Sequence, residues 1–394
     1  WMVIMSLFSG SKSDPSVVAK RTTVDKDLKR FVQLEKATTY TSQRNLNLGF
    51  GLLFLLGVWV FMLFRTDGDG FSILAIAAIV GGYMAMNIGA NDVANNVGPA
   101  VGSKALTLLG ALAIAAIFEA GGALIAGGDV VTTISKSIIS PDAFADKSIF
   151  IWAMLAALLS AAIWVNLATM VGAPVSTTHS IVGGVMGAGI AAAGVSSVNW
   201  VVMAKIAASW VISPLLGGLI AAAFLLFIKY AVLYKDDKIA AAKRWVPVLV
   251  AIMAAAFSVY LVMKGFKRIW RPDASMIAAI GVAAFGLSYV IVKSAVVRAA
   301  VNLENRRKSV GNLFTIPLIC AAALLSFAHG SNDVANAVGP LAAIVSAVTQ
   351  GTVAAKVTLP LWVLAIGAIG ISVGLLLFGP KIIEIVGEKI DRKS

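Results

Sequence analysis

The chain has 394 residues, 59% of them hydrophobic and 13% charged, and its mean hydropathy is +0.91. A soluble domain is nearer half apolar and one-quarter charged, so the composition excludes an ordinary soluble protein and indicates a polytopic membrane protein. The net charge is +13. Because the basic residues fall between apolar runs and do not form one patch, membrane topology explains this charge better than a nucleic-acid partner does.

Residues 1–45 are polar and basic, with eight Lys or Arg against four Asp or Glu. We interpret this part as a cytoplasmic extension with one short helix around 24–36. Ten apolar runs of spanning length follow, each of roughly 20 residues or more. They lie at 46–64, 71–101, 105–126, 148–171, 174–197, 200–229, 245–263, 275–295, 313–341 and 356–378.

One eleven-residue motif occurs twice. Gly89-Ala-Asn-Asp-Val-Ala-Asn-Asn-Val-Gly-Pro99 returns as Gly330-Ser-Asn-Asp-Val-Ala-Asn-Ala-Val-Gly-Pro340, with nine of eleven positions identical and an offset of 241 residues. Each copy puts an aspartate, Asp92 or Asp333, inside an apolar run. A carboxylate at membrane depth is costly and marks a functional site by default. Matching polar elements in two halves are typical of transporters whose site lies at the repeat interface.

Both motif-bearing runs are too long for one straight spanning helix. We expect each to be a helix broken at the motif, since Gly89 and Gly330 permit a break and the Gly-Pro pair that ends each motif interrupts the helix again. The predicted fold class is therefore all-α: a polytopic transmembrane helical protein with inverted-topology repeats and broken helices.

The run 174–197 decides the topology. If it crosses the membrane, one side holds 23 Lys and Arg and the other holds 8, which is a positive-inside bias with both termini in the cytoplasm. Six spans then separate the two motif runs, so the repeats have opposite orientations. If the run only dips into the membrane, the bias weakens. The basic loop 264–271 counts against the crossing interpretation.

These boundaries divide the chain into five parts. An extra N-terminal span (46–70) follows the extension, then a first transporter repeat (71–230), connecting spans with a basic loop (231–312) and a second repeat (313–394). Pro174-Val-Ser-Thr-Thr-His179 has no second copy, because the offset would place it at 415, beyond Ser394. We therefore expect the second repeat to be incomplete and the chain to be truncated at its C-terminus.

The duplicated motif carries hard oxygen ligands at helical spacing, which suit Na⁺ or a proton relay. A single asparagine is often only interhelical glue, but the repeated Asn-Asp-x-x-Asn favours function. Asn91 and Asn332 can also cap a half-helix whose positive end favours an anion. We predict cation binding by Asp92, Asn95, Asp333 and Asn336, with Na⁺ at the two aspartates as the one expected metal.

Three hydroxyls and a histidine, Ser176, Thr177, Thr178 and His179, open a glycine-rich run after a proline. Free N–H groups and hydroxyls at a helix start can cradle a tetrahedral oxyanion, although an ordinary N-cap cluster has the same composition. Glu119 lies in the middle of an apolar run, and we interpret it as a functional residue. His329 precedes the second motif where the first copy has Ile88, and it is either a proton shuttle or a satisfied core histidine.

These motifs, together with Phe118-Glu-Ala-Gly121, closely resemble the signatures of the inorganic phosphate transporter (PiT) family from about residue 71 to the end. The resemblance implies a phosphate permease with inverted repeats: a secondary active symporter, driven by Na⁺ or H⁺, without a cofactor and usually a homodimer. It implies phosphate binding by Ser176, Thr177, Thr178, His179, Asn91 and Asn332, and cation binding by Asp92, Asn95, Asp333, Asn336 and Glu119. The first 70 residues and the single Ser-Thr-Thr-His element depart from the pattern.

Other functions remain to be weighed. A permease for sulfate or another tetrahedral oxyanion is the closest alternative, since the sequence does not separate these substrates. An anion channel would need a continuous polar pore, whereas the polar residues cluster at two places. A membrane-embedded hydrolase would need a nucleophile–base or metal set, which two histidines in unrelated contexts and Cys320 do not supply, so we predict no enzyme. We expect the cytoplasmic (inner) membrane of a bacterium, with the lipid bilayer and phosphate as partners.

Overall fold

The computed structural model describes residues 44–65, 70–128, 138–265, 272–350 and 360–391, together with residues 42 and 270. Most of the predicted cytoplasmic extension, including the helix expected around 24–36, lies outside these residues. The chain divides into two compact units, residues 1–52 and residues 53–394. The site and the packing described below belong to the second unit.

The described residues are almost entirely helical. The helices are α1 (Arg44–Leu63), α2 (Phe71–Gly102), α3 (Leu108–Ala126), α4 (Lys147–Met170), α5 (Thr177–Ala193), α6 (Trp200–Ile228), α7 (Lys238–Tyr260), α8 (Ala274–Ala299), α9 (Arg307–Leu313), α10 (Thr315–Gln350) and α11 (Leu361–Asp391). The π-helical turns Lys229–Leu233 and Leu261–Gly265 extend α6 and α7, and Pro141–Ala143 and Val195–Ser197 form short 3₁₀ turns.

Nine helices of the described residues are long and apolar enough to cross a membrane, against ten predicted runs. The difference is α5, which has 17 residues. At 1.5 Å per residue it covers about 25 Å, less than the roughly 30 Å of a hydrocarbon core. The all-α polytopic fold is confirmed, and α5 is shorter than predicted because seven residues of its run lie in the approach to the helix and in the turn after it.

Polar side chains cap the start of six helices, α3 to α8. In each case an N-cap oxygen accepts a hydrogen bond from a backbone N–H two or three residues on, which satisfies one donor of the open first turn. Hydrogen bonds from Ser148 hold the pKa of Asp146 below its usual range, as expected for a capping carboxylate that stays ionised. The capping residues are Thr107, Asp146, Ser176, Asn199, Asp237 and Asp273.

The expected break at each motif is wrong. Helix α2 runs without interruption through the first motif and α10 through the second, with Pro99 and Pro340 inside the helices. Neighbouring helices can re-satisfy the backbone groups that a proline frees in a membrane helix. The motif glycines serve another purpose: a Cβ on Gly89 would lie 2.0 Å from the carbonyl oxygen of Ile371, and the helices cross at that point.

The same close crossing occurs twice. Helix α2 crosses α11, and α10 crosses α3, so exchanging the two halves of the chain maps one crossing onto the other. The equivalent residues are 241 apart on α2 and α10 and 252 apart on α3 and α11. A Cβ added to any of four glycines would lie too close to a carbonyl oxygen of the other helix. The distances are 2.0 Å from Gly89 to Ile371 O, 1.9 Å from Gly374 to Met86 O, 2.1 Å from Gly330 to Glu119 O and 2.0 Å from Gly122 to Phe327 O. This arrangement is what an internal twofold repeat requires.

Helices α4 and α5 form a hairpin that returns to the end from which it starts. Ile139 and Val198 form an isolated antiparallel bridge, and Ser140 N–H donates to Ser197 O at 2.8 Å. Residue 198 therefore lies at the same end of the hairpin as the start of α4. The turn of the hairpin lies against Asn91, in the interior of α2, and this places the start of α5 beside the first motif.

Candidate functional site

The two motifs and the start of α5 line one open cavity of about 400 Å³. Its wall combines carboxylates, hydroxyls and an imidazole, so it is polar although its surroundings are apolar. The residues that line it are Asp92, Asn95, Pro174, Val175, Ser176, Thr177, Thr178, His329 and Asp333. Elements that lie far apart in the sequence thus meet at one place, as predicted for Asp92 and Asp333.

Thr177 joins the two aspartates. Its Oγ1 lies 3.0 Å from Asp92 Oδ2 and 3.1 Å from Asp333 Oδ2. A hydroxyl has one proton to donate, so it can satisfy only one of these oxygens at a time. Two carboxylates that converge in this way repel each other when both are ionised, and a proton or a cation between them relieves the repulsion.

An imidazole supplies the other side of this cluster. His329 Nε2 lies 3.0 Å from Asp333 Oδ2 and 3.6 Å from Asp92 Oδ2. One ligand atom from each of these three residues lies within 4.8 Å of the others, which is close enough to share one cation. The carboxylate oxygens suit Na⁺, whereas the imidazole nitrogen suits a proton better than it suits Na⁺.

The cluster continues into the protein through Glu119, which is fully buried. Its Oε2 lies 3.3 Å from His329 Nδ1, and its Oε1 accepts a hydrogen bond of 2.8 Å from Asn96 Nδ2. A carboxylate without exposure needs such partners, because burial of an unpaired charge is costly. A polar path thus leads from the cavity through His329 to Glu119.

The polar path from the cavity to Glu119 occurs at one of the two repeated helix crossings and has no counterpart at the other. Glu119 and His329 face each other where α3 crosses α10, and the offsets of 252 and 241 place Ile371 and Ile88 at the equivalent positions where α11 crosses α2. The isoleucines are apolar and cannot titrate or bind a cation. The backbone arrangement is repeated, but its chemistry differs between the halves.

Asn91 holds the loop between α4 and α5. Its amide nitrogen donates to Thr169 Oγ1 at 2.9 Å and to Ala173 O at 3.1 Å, and its oxygen accepts from Val175 N–H at 2.9 Å. Both amide protons and the oxygen are therefore engaged, and the side chain is fully buried. Asn91 fixes the segment that presents Thr177 to the aspartates. Thr169 does not belong to a sequence motif, so its hydrogen bond with Asn91 was not predicted from the sequence.

The remaining predicted residues occupy different positions. Asn336 donates to Thr178 Oγ1 at 3.0 Å, and Asn95 is exposed on the cavity wall. Asn332 is exposed and donates to Ala328 O of its own helix at 2.9 Å. The His179 ring packs on Trp210 of α6, with 3.8 Å between ring centroids. Asn332 and His179 do not line the cavity in this structure.

Comparison with known proteins agrees with this geometry. The sequence pattern of the phosphate transporter family matches residues 88–393. This chain belongs to the phosphate transporter family. A relative from Helicobacter pylori strain J99, named "Putative phosphate permease", is 50% identical over 368 residues, covering 92% of this chain and 69% of the relative. A relative of the same name from Pyrococcus abyssi is 39% identical over 318 residues, covering 80% and 78%.

A solved structure is also similar. A protein described as "The sodium-dependent phosphate transporter" superposes on this chain with a TM-score of 0.76 at 37% identity, covering 81% of this chain and 78% of that one. Identity of this level over most of both chains supports a shared architecture as well as a shared family.

Proposed function

We propose that this member of the phosphate transporter family is a secondary active symporter that carries inorganic phosphate together with Na⁺ or H⁺. The observation that carries the proposal is the meeting of Asp92 and Asp333 at Thr177, on the wall of one cavity. A site built from both repeats can open to either side as the repeats move, which is the general basis of alternating access.

Phosphate binds at the start of α5. The backbone N–H groups of the first helical turn have no acceptor within the helix, and the helix dipole favours an anion there. Ser176, Thr177 and Thr178 add hydroxyls to the same part of the cavity wall. Asn91 contributes by holding this segment in place, and His179 and Asn332 are expected to approach the substrate only after a rearrangement.

The cation binds between the aspartates. Phosphate at neutral pH carries between one and two negative charges, and it would be repelled by two ionised carboxylates on the same cavity wall. A cation held by Asp92 and Asp333, with Asn95 and Asn336 beside them, removes this repulsion and so couples the two substrates. Glu119 joins the cation site through His329. The name of the solved neighbour favours Na⁺, and the imidazole at the centre of the cluster favours H⁺.

Topology and assembly follow from the sequence expectations. We place the protein in the bacterial cytoplasmic membrane with both ends of the described chain inside, because this orientation keeps most Lys and Arg on the cytoplasmic side. We also propose a homodimer, which the family resemblance implies. The exposure of helix α6 supports a contact with lipid or with a partner subunit, since none of its residues is buried within the chain.

Uptake into proteoliposomes tests the proposal. Purified protein is reconstituted, inward Na⁺ and inward H⁺ gradients are imposed separately, and radiolabelled phosphate is followed with sulfate as competitor. We expect one gradient to drive accumulation above the external concentration and sulfate to compete weakly. Uptake that never exceeds equilibration would indicate a channel, and stronger inhibition by sulfate than by unlabelled phosphate would indicate a sulfate permease.

A further inference from the structure

We propose that Tyr260, on the connecting helix α7, is a positioning residue that holds the second motif in the geometry required for cation binding. The inference rests on the transport function proposed above. Tyr260 belongs to neither repeat and does not line the cavity, so it would act through α10. It is joined to α10 by a hydrogen bond to Ser331.

The direction of this hydrogen bond can be assigned. Ser331 Oγ donates its single proton to Ala328 O at 2.8 Å. With that proton engaged, the Tyr260 hydroxyl donates and Ser331 Oγ accepts. Ser331 is 1% exposed, so water does not replace this donor readily. The first motif has Ala90 at the equivalent position and cannot form such a contact.

Two further contacts hold α7 in the same place. One turn earlier on each helix, Phe257 packs edge-on against Phe327, with 5.3 Å between ring centroids. Just after Tyr260, a Cβ on Gly265 would lie 3.1 Å from the Ile125 side chain of α3. Helix α7 thus touches both helices of the crossing that carries Glu119 and His329.

Helix α10 is held from opposite sides at this level. Ser331 is two residues from both His329 and Asp333, which corresponds to about 200° around a helix. Phe327 and Ser331, four residues apart, face α7, while His329 and Asp333 face the cavity. A rotation of α10 that breaks the Tyr260 contact would also displace the imidazole and the carboxylate of the cation cluster.

The backbone after Tyr260 is unusual in a way that fits this role. Residues Leu261–Gly265 form a π-helical turn, so the helix is widened directly after the tyrosine. Single π-helical turns are rare, and they are frequently found at functional sites.

The test uses Tyr260→Phe, Ser331→Ala and the double variant, with Tyr289→Phe as the control. Tyr289 is a half-buried tyrosine on α8 that stacks on Phe285, away from the site. Phosphate uptake is normalised to the amount of reconstituted protein. It is measured as a function of the concentration of the driving cation and then, at saturating cation, as a function of the phosphate concentration. We expect Tyr260→Phe and Ser331→Ala each to raise the half-saturating cation concentration about fivefold, the low end of typical coupling between sites. The phosphate KM at saturating cation should stay near that of the control.

The half-saturating cation concentration of the double variant should be no higher than that of either single variant, because each substitution removes the same hydrogen bond. Additive effects, or a loss of folded protein without any change in cation dependence, would overturn the proposal. The cation-induced rise in Tm of the same purified variants gives a second readout that does not need transport. If the wild type fails to accumulate phosphate, the proposed function fails, and a cation-induced Tm rise equal in Tyr260→Phe and the control would then refute the positioning role separately.

Discussion

Glu119 and His329 meet in the interior of the protein, with Oε2 of one 3.3 Å from Nδ1 of the other, although they belong to opposite halves of the chain. The internal repeat puts Ile371 and Ile88 at the equivalent place. The two halves therefore share a backbone arrangement and differ in charge. We infer that cation coupling depends on the half of the site where α3 crosses α10.

Glu119→Gln tests this asymmetry. The variant keeps the size of the side chain and an oxygen for Asn96 but removes the negative charge beside His329. We expect cation-driven phosphate uptake to fall about tenfold or more, equivalent to at least ~1.4 kcal/mol in the rate-limiting barrier. The control is Glu384→Gln, an exposed glutamate on α11. Equal uptake by both variants would show that the Glu119 charge has no part in coupling.

The crossing glycines should be intolerant of any side chain. Gly89→Ala and Gly330→Ala each put a Cβ about 2 Å from a backbone carbonyl oxygen, which cannot move aside as a side chain can. We expect each to lower the free energy of unfolding by about 1–3 kcal/mol or more, measured in detergent by thermal denaturation. Gly286→Ala on α8 meets nothing within 4 Å and should be neutral or slightly stabilising. A stable Gly89→Ala protein would contradict the crossing.

Equivalent asparagines of the two motifs should behave differently. Asn91→Ala removes one hydrogen bond to the end of α4 and two to the loop before α5, and it leaves Val175 N–H without its acceptor, at a cost of about 1–3 kcal/mol. Asn332→Ala removes one contact within its own helix and should cost little. Hydrogen exchange of the Val175 and Ser176 amides should accelerate in Asn91→Ala alone. Equal acceleration in both variants would refute the anchoring role.

Much of this arrangement could be predicted from the sequence, because it depends on residue types that are costly in a membrane. The duplicated aspartates predicted a shared site, whereas the contacts of Thr177 with both aspartates were not predicted from the hydroxyl cluster. The continuous helices were not predicted, because a glycine permits a break as readily as a close crossing. The contacts Tyr260–Ser331 and Asn91–Thr169 were missed, since tertiary packing alone decides which isolated hydroxyl meets which helix.

The central claim is that Asp92 and Asp333 couple phosphate to a cation, and equilibrium phosphate binding tests it most directly. Phosphate affinity of the purified protein is measured in Na⁺ against choline at fixed pH, and against pH at fixed Na⁺. The wild type and the exposed-site control Asp236→Asn should bind phosphate more tightly as the cation is raised, and phosphate should raise cation affinity by the same factor. Asp92→Asn and Asp333→Asn should each reduce that factor towards one. Phosphate affinity that is the same with and without the cation in the wild type, or coupling of wild-type size in both aspartate variants, would contradict the account.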